Sequence, residues 1–318
     1  MKMKAFYLIA FLCLFPFFNK LRAQIPYPYP VKNFTVNIDG QGYQMSYMDV
    51  QPLKPNGKNV LLFHGKNFTG FYWKDVIKFL VSQGYRVIVA DQLGWGKSSK
   101  PSIKYTFEML AQNNKLLLDS LKIEKVTVIG HSMGGMLATR FAILYPTVTA
   151  KLILEDPLGL EDYRKFVPFK SIDEQYKKEL NATYASYKKY QESYYPVWKP
   201  GYEVYVKQQA ELLKTKDFTG VALVNALTYQ MIYEQPVLYD FKKLEMPVLF
   251  IVGQLDRTIL GKEKLDKAKQ HLHGNFPSLA KKASMQIKDS KVIVLPGVGH
   301  IPHIQETKTF NNKVLAFM

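Results

Sequence analysis

The sequence predicts an α/β fold, in which a mostly parallel sheet carries helices on both faces. Six apolar runs show no alternation, as expected of parallel strands that are buried on both sides; they occupy residues 60–63, 87–90, 126–129, 152–154, 248–252 and 292–295. Segments of helical length lie between or after these runs, at residues 72–83, 107–121, 133–144 and 307–317. Strand and helix therefore alternate along the chain, which is typical of the α/β class.

Two further strands precede the first buried run. Residues 34–38 and 43–50 alternate between apolar and polar side chains, and the turn sequence D-G-Q-G at 39–42 separates them. This pattern predicts an antiparallel hairpin at the edge of the sheet. Together with the six buried runs, the predicted sheet has eight strands.

One long stretch interrupts the alternation of strand and helix. Between residues 154 and 248 no buried strand is predicted, and we interpret residues 161–240 as an inserted helical lid that divides the core into residues 24–160 and 241–318. The lid is rich in aromatic side chains, which are Tyr163, Tyr176, Tyr184, Tyr187, Tyr190, Tyr194, Tyr195, Trp198, Tyr202, Tyr205, Tyr229 and Tyr233. We expect most of them to build a core of the lid itself, and a few to face the sheet.

Residues 1–23 have the pattern of an export signal. Lys2 and Lys4 precede an apolar run at residues 5–18, and Ala23 is a suitable last residue of the signal. The run is shorter than the roughly twenty residues that a spanning helix needs, which favours a cleaved signal over an uncleaved anchor. The sequence therefore predicts a protein that is periplasmic or secreted, and its single cysteine, Cys13, would be removed with the signal.

The chain of 318 residues has a formal net charge of +17. Its lysines are dispersed and are not interleaved with aromatic residues in a recognition motif, so the composition does not predict a nucleic-acid partner. We expect solvated basic faces, with at most weak association with an anionic envelope surface.

A strand that runs into the sequence G-H-S-M-G is the feature around which the other motifs are arranged. Gly130 and Gly134 lack the Cβ atoms that would obstruct a tight turn, so Ser132 can occupy its apex with an accessible hydroxyl. A helix predicted from residue 133 would direct its positive end at this serine. The pattern predicts a nucleophilic serine, and a glycine-rich turn without a catalytic role is the alternative.

The groups that a nucleophilic serine requires follow other predicted strands. His300, after the last strand, is the predicted base, and Asp256, after the strand before it, is the predicted acid that orients the base. The backbone amides of Lys66 and Met133 are predicted to form an oxyanion hole. Asp156 is the alternative acid, because it also follows a buried strand.

Three other histidines are assigned no catalytic role. His303 follows His300 at the start of a helix, and we expect it to pack beside the site or to support it. His271 and His273 form an H-x-H pattern, but no acidic or thiolate residue stands near them in sequence, so no metal site is predicted.

Five motifs together resemble the α/β-hydrolase fold family, and its lidded serine hydrolases in particular. They are H-G-K-N-F at 64–68, D-Q-L-G-W-G-K-S at 91–98, G-H-S-M-G-G at 130–135, G-Q-L-D at 253–256 and G-H-I-P-H at 299–303. The resemblance covers the chain from about residue 31 to residue 318. It implies a lid inserted after the sixth strand, a scaffold role for Asp91, Gly94 and Gly96, and a His64 that holds the oxyanion loop.

The resemblance also limits the chemistry. Relatives that open epoxides or displace halide carry an aspartate where this chain has Ser132, so those reactions are disfavoured. The leading prediction is a serine hydrolase that cleaves a carboxylic ester or related acyl bond through an acyl-enzyme. Its substrate would be a small molecule with an apolar or aromatic portion, and neither a cofactor nor a metal is predicted. The alternatives are a carbon–carbon hydrolase of the type that cleaves ring-fission products, and a triad-bearing protein that binds a small molecule.

Export predicts that the mature chain begins near Gln24. Intact-mass measurement of protein recovered from the cell envelope should give the mass of a chain without residues 1–23. A full-length chain beginning at Met1 in the membrane fraction would contradict a cleaved signal.

Overall fold

The computed structural model describes residues 26–318, and the predicted export signal lies outside the described residues. The strands form one sheet of eight, with bounds Val31–Ile38 (β1), Gln41–Val50 (β2), Asn59–Phe63 (β3), Arg86–Ala90 (β4), Val126–His131 (β5), Thr149–Glu155 (β6), Val248–Gly253 (β7) and Ser290–Leu295 (β8). Each strand predicted from the sequence is present.

The strand order in the sheet is β1-β2-β4-β3-β5-β6-β7-β8. β2 pairs antiparallel with β1 and with β4, and the remaining pairs are parallel. The prediction of a mostly parallel sheet with an antiparallel hairpin at one edge is therefore confirmed. β5 lies between β3 and β6, so the turn that follows β5 is flanked by the loops that follow its two neighbours.

Helices lie between the parallel strands and in the inserted segment. Their bounds are Lys74–Ser82 (α1), Phe107–Ser120 (α2), Met133–Leu144 (α3), Ile172–Leu180 (α4), Tyr184–Glu192 (α5), Glu203–Ala210 (α6), Phe218–Glu234 (α7), Phe276–Ser284 (α8), Pro302–Gln305 (α9) and Thr307–Phe317 (α10). Within residues 26–318, no helix has the length and apolar content that a membrane span needs.

Two predicted helical segments, 133–144 and 307–317, coincide with α3 and α10. At the start of the predicted segment 72–83 the structure has a 3₁₀ turn, Gly70–Trp73, and α1 follows it from Lys74. The Thr69 side chain caps the 3₁₀ turn by accepting from Phe71 N–H. α8 is a helix that the four predicted segments do not include.

Alternate residues of the central strands pack on opposite faces of the sheet. Leu61 and Val128 belong to a core cluster that includes residues of α2 and α3, whereas Leu62 and Ile129 belong to a cluster that includes residues of α1 and α10. Each face therefore buries its own row of aliphatic side chains under helices, as expected of parallel strands covered on both sides.

The prediction of burial on both faces is wrong for β8. Val292 and Ile293 are only partly buried, and Val294 is 40% exposed. β8 lies at the end of the sheet and pairs with β7. An apolar run of this length has the same composition at an edge as at the centre, so the sequence does not distinguish the two positions.

The lid segment, which we define as residues 161–240, contains α4 to α7. Most of its buried aromatic side chains do not form a separate lid core, contrary to the expectation above. Tyr194, Tyr195, Tyr202 and Tyr205 belong to the core cluster that includes residues of α1 and α10. Tyr163, Tyr229 and Tyr233 belong to the core cluster that includes residues of α2 and α3. Tyr187 belongs to a small cluster within the lid segment. The lid segment therefore obtains much of its burial from the core.

Candidate active site

Ser132 lies at the turn between β5 and α3. Its backbone has φ 55° and ψ −120°, a conformation that is unfavourable for a residue with a Cβ atom. The chain can turn this tightly because two neighbours are glycines. A Cβ at Gly130 would lie 2.2 Å from the Gly134 carbonyl oxygen, and a Cβ at Gly134 would lie 2.2 Å from the Phe63 carbonyl oxygen. The turn therefore holds Ser132 where β5 ends.

The structure brings Ser132, Asp256 and His300 together. His300 Nε2 lies 2.9 Å from Ser132 Oγ, and His300 Nδ1 lies 2.7 Å from Asp256 Oδ2. The other carboxylate oxygen of Asp256 accepts from Thr258 N–H at 2.8 Å. All three side chains are buried. The carboxylate thus fixes the imidazole so that its Nε2 atom faces the serine hydroxyl.

Asp156, the alternative acid, lies behind Asp256. It accepts from Gly253 N–H at 3.0 and 3.1 Å and hydrogen-bonds to Asp256. Burial and the charge of Asp256 raise the pKa of Asp156 well above its usual range. Burial also acts to raise the pKa of Asp256, but His300 and the hydrogen bond from Asp156 hold it below its ordinary value. The pair therefore presents one negative charge, and that charge is on the carboxyl group that contacts His300.

The loop after β3 lies beside the turn that carries Ser132, because β3 is a neighbour of β5 in the sheet. Gly65 N–H donates to Tyr72 Oη at 2.8 Å, and the Lys66 carbonyl accepts from Trp95 Nε1–H at 2.6 Å. The backbone amides of Lys66 and Met133 donate to no acceptor among residues 26–318. Both predicted oxyanion donors are therefore available to a ligand, and the N-terminus of α3 favours negative charge at the same place.

A chain of buried hydrogen bonds connects this loop with the histidine. Tyr72 Oη donates to His131 Nδ1 at 3.1 Å, and His131 Nε2–H donates to the His300 carbonyl at 2.7 Å. Burial lowers the pKa of His131 to about 3, so its ring is neutral and has one donor and one acceptor nitrogen. Because Tyr72 also binds Gly65, the positions of Gly65 and His300 depend on the same two side chains.

Glu155 and His303 form a second buried pair beside His131. His303 N–H lies 2.7 Å from Glu155 Oε1, and His303 Nδ1 lies 2.8 Å from Glu155 Oε2. The His303 ring stacks on Trp73, with 4.2 Å between ring centroids. Burial raises the pKa of Glu155 to about 7 and lowers that of His303 to about 3. This pair supports the backbone that follows His300.

Tyr194 of the lid segment covers the histidine. The Tyr194 ring lies 5.0 Å from the His300 ring, and the Tyr194 carbonyl accepts from His300 N–H at 2.8 Å. Its hydroxyl accepts from Asn67 Nδ2 at 2.9 Å. Ser132 is 6% exposed and His300 is 1% exposed. The structure therefore represents a state in which the lid segment closes the site.

Two adjoining cavities lie between the lid segment and the loop after β3. The larger has a volume of about 360 Å³ and the smaller a volume of about 90 Å³. Both are bordered by Lys66, Asn67, Tyr187 and Gln209. Lys66 also offers one of the two free amides, whereas Ser132, Met133 and His300 border neither cavity.

The H-x-H pattern has an acidic neighbour that sequence spacing does not reveal. His273 Nδ1 lies 2.9 Å from Glu161 Oε1, although the two residues are 112 positions apart, whereas His271 lies in a 3₁₀ turn at Gln270–Leu272. Among residues 26–318, the one group of side chains within metal-binding reach of one another is Asp156, Asp256 and His300. That group is already engaged in the hydrogen bonds described above.

The sequence assigns no role to Tyr72, His131, Glu155 or Tyr194. Glu155 has the clearest signal, because an acidic residue at the end of an apolar strand is rarely buried without a special environment. His131 lies within the serine motif, but the motif itself explains only the glycines and the serine. Tyr194 is one of many lid tyrosines, and nothing in its sequence neighbours distinguishes it from the others.

Comparison with known proteins gives matches over most of the chain. A family model described as alpha/beta hydrolase fold matches residues 58–307. The crystal structure of a probable hydrolytic enzyme from Pseudomonas aeruginosa PAO1 is similar, with 40% sequence identity and a TM-score of 0.89. That match covers 92% of this chain and 95% of the other chain.

Curated relatives match over different lengths. An uncharacterised protein from Mycobacterium tuberculosis is 39% identical over 105 residues. The matched region is 33% of this chain and only 30% of the length of that protein. A 2-hydroxy-6-oxo-6-(2'-aminophenyl)hexa-2,4-dienoic acid hydrolase from Metapseudomonas resinovorans is 25% identical over 296 residues, which cover 88% of this chain and 89% of that protein.

Glu155 makes stability depend on pH in a direction that follows from its environment. Its pKa is raised from 4.5 to about 7, so its contribution to the free energy of unfolding is complete below about pH 4.5 and is lost as the pH rises through about 7. Glu155→Gln removes this pH-dependent loss of stability, because a glutamine side chain does not titrate. We therefore expect the free energy of unfolding of the variant, relative to the parent, to increase by about 2 kcal/mol between about pH 5 and pH 7, as measured by urea denaturation.

Glu124→Gln is the matched control, because Glu124 is exposed and its loss changes the net charge equally. Its difference from the parent should stay constant over the same pH range. A Glu155→Gln difference that is equally constant would show that Glu155 binds its proton no more tightly in the folded chain than in the unfolded one.

Proposed function

The chain belongs to the α/β-hydrolase fold family, and from this premise we propose that it is a serine hydrolase that cleaves a carboxylic ester or related acyl bond. The observation that carries the proposal is the relay from Asp256 to His300 at 2.7 Å and from His300 to Ser132 at 2.9 Å. A serine hydroxyl is a weak nucleophile at neutral pH, and an adjacent oriented base is what activates it.

In the proposed acylation, Ser132 Oγ attacks the substrate carbonyl carbon while His300 Nε2 takes the hydroxyl proton. The carbonyl oxygen becomes an oxyanion, which the amides of Lys66 and Met133 bind. The negative charge of Asp256 stabilises the imidazolium of His300. His300 then gives its proton to the departing alcohol, and the acyl group stays on the serine.

Deacylation uses the same groups with water as the nucleophile. His300 takes a proton from water, the resulting hydroxide attacks the acyl-enzyme, and the same two amides bind the second oxyanion. His300 then returns the proton to Ser132 as the carboxylic acid leaves. The three side chains and two amides thus suffice for the whole cycle.

The covered site bears on how a substrate would enter. Because Tyr194 lies against His300 and its hydroxyl binds Asn67, we propose that the lid segment moves away from the loop after β3 before a substrate binds. Tyr190 and Tyr229 border the larger cavity, which supports a substrate with an apolar or aromatic portion. Export and weak association with an anionic envelope surface are further proposals, supported by the pattern of residues 1–23 and the charge of +17.

A carbon–carbon hydrolase is the second candidate, and it is favoured by the similarity to the dienoic acid hydrolase from Metapseudomonas resinovorans. The same constellation can perform this reaction if the group that leaves the carbonyl is a conjugated carbanion rather than an alkoxide. His300 would then protonate a carbon atom. In an ester the leaving atom is an oxygen, and in the carbon–carbon reaction it is a carbon. Assays with esters and with conjugated dienones therefore distinguish the two candidate functions.

Substitutions in the relay should show that its members act as a unit. We expect Ser132→Ala and His300→Ala each to lower kcat for 4-nitrophenyl butyrate by on the order of a million-fold, and the double variant to be little worse. Asp256→Asn should cost on the order of ten-thousandfold, because an amide favours the wrong imidazole tautomer. Steady-state kinetics measures each loss, and circular dichroism melting checks that each variant is folded.

Asp156→Asn is the internal control, because Asp156 binds Gly253 and Asp256 rather than His300. We expect its loss to be much smaller than that of Asp256→Asn. If Asp156→Asn abolished turnover and Asp256→Asn left it nearly intact, the acid would be wrongly assigned. A parent protein that hydrolyses conjugated dienones and no ester would favour the carbon–carbon reaction, and one that binds such compounds without turnover would contradict an enzyme.

A further inference from the structure

The side chain of Lys66 borders both cavities under the lid segment and has no ion-pair partner among residues 26–318. It is partly exposed, and no described carboxylate oxygen lies within 4.0 Å of its Nζ atom. Burial lowers the pKa of this ammonium group, and the more distant Glu179 carboxylate opposes the shift. An ammonium group that borders a cavity and has no carboxylate partner can form a charge-assisted hydrogen bond with an anionic ligand.

The other charged side chains that border the two cavities are already engaged. Their partners are Glu263 for Lys178, Lys214 for Glu211, the ring of Tyr27 for Lys97, and the side-chain amides of Gln175 and Asn225 for Glu179. In the described part of these cavities, Lys66 is therefore the basic group that borders both of them and lacks a carboxylate partner; Lys97 also lacks one, but it is exposed and borders only the smaller cavity.

The position of Lys66 relates its charge to the proposed reaction. Trp95 Nε1–H holds the Lys66 carbonyl at 2.6 Å, so the backbone that offers the oxyanion amide is fixed. The distance from the ammonium group to the position where the reacting carbonyl oxygen would bind is consequently no more than about the length of one lysine side chain. An anionic group on the substrate can reach it only if a few bonds separate that group from the reacting carbonyl.

We propose that Lys66 binds a carboxylate of the substrate, so that preferred substrates carry a carboxylate a few bonds from the carbonyl attacked by Ser132. This inference rests on the proposed function. One ammonium group matches the unit charge of a carboxylate and can bind it through a charge-assisted hydrogen bond. A phosphate dianion fits less well, because Glu179 and Glu263 border the same cavity and would repel its second charge.

Two matched esters test the proposal. Mono-4-nitrophenyl glutarate carries a free carboxylate, and its methyl ester is neutral and nearly the same shape. We expect the parent to prefer the anionic ester in kcat/KM by about tenfold or more, and Lys66→Met to lower this ratio by about 10- to 100-fold. Lys66→Arg should retain a preference for the anionic ester, because it keeps the charge.

Lys178→Met is the matched control, since it removes a lysine of the same cavity that Glu263 already pairs. Its ratio between the two esters should stay within about threefold of the parent, because a loss of general positive charge would act weakly. The proposal is overturned if Lys66→Met keeps the ratio of the parent, or if Lys178→Met lowers the ratio as much as Lys66→Met does.

Binding to an inactive protein separates this inference from the proposed function. Calorimetry with Ser132→Ala should detect monomethyl glutarate, which carries one carboxylate, and the added Lys66→Met substitution should weaken binding by about 10- to 100-fold. Equal binding of monomethyl glutarate in both proteins, or tighter binding of inorganic phosphate that Lys66→Met abolishes, would overturn the carboxylate assignment. Absence of turnover and of fluorophosphonate labelling in the parent would refute the serine hydrolase, whereas esterase activity without any preference for the anionic ester would refute only the role of Lys66.

Discussion

The site depends on one backbone conformation, that of Ser132. Its φ of 55° is costly for a residue with a Cβ atom, by about 1 to 3 kcal/mol in comparable cases. The surrounding hydrogen bonds offset this cost: Ser132 N–H donates to the Glu155 carbonyl at 3.0 Å, and the Ser132 carbonyl accepts from Gly135 N–H at 2.8 Å and Leu158 N–H at 3.1 Å. These partners belong to β6, to α3 and to the chain after β6. Ser132 therefore takes this conformation only when the centre of the sheet is assembled.

The sheet and the meeting of three side chains could be predicted because both depend on local patterns. Buried parallel strands are continuous apolar runs, and residues that follow neighbouring strands end at the same edge. The contacts that could not be predicted from the sequence join remote parts of the chain. The partner of His273 lies 112 residues away, and the hydroxyl of Tyr194 meets Asn67 across 127 residues. Neither contact leaves a periodicity, and the partial exposure of Val294 likewise follows from the order of strands rather than from its own neighbours.

Several ionisable groups are buried where the parallel strands end, and their surroundings give them different protonation states. Asp256 is held anionic by His300, whereas burial favours the neutral form of Asp156 beside it. Burial also keeps His131 and His303 neutral. A new positive charge on the imidazole of His300 would therefore lie 2.7 Å from the anionic carboxylate of Asp256 and away from any other charged imidazole. Such an arrangement directs charge to one place without crowding like charges together.

The carbonyl of Tyr194 is the acceptor for the backbone amide of His300, and a Cβ at Gly299 would lie 2.3 Å from that carbonyl oxygen. The lid segment therefore supplies part of the support for His300, the proposed base. Exchange of this segment with that of a relative, by recombination or by engineering, would change more than the shape of the pocket. A transplanted segment would have to reproduce a main-chain carbonyl at this point, and Gly299 would have to stay small. Lid and core are consequently expected to evolve together as one inherited unit.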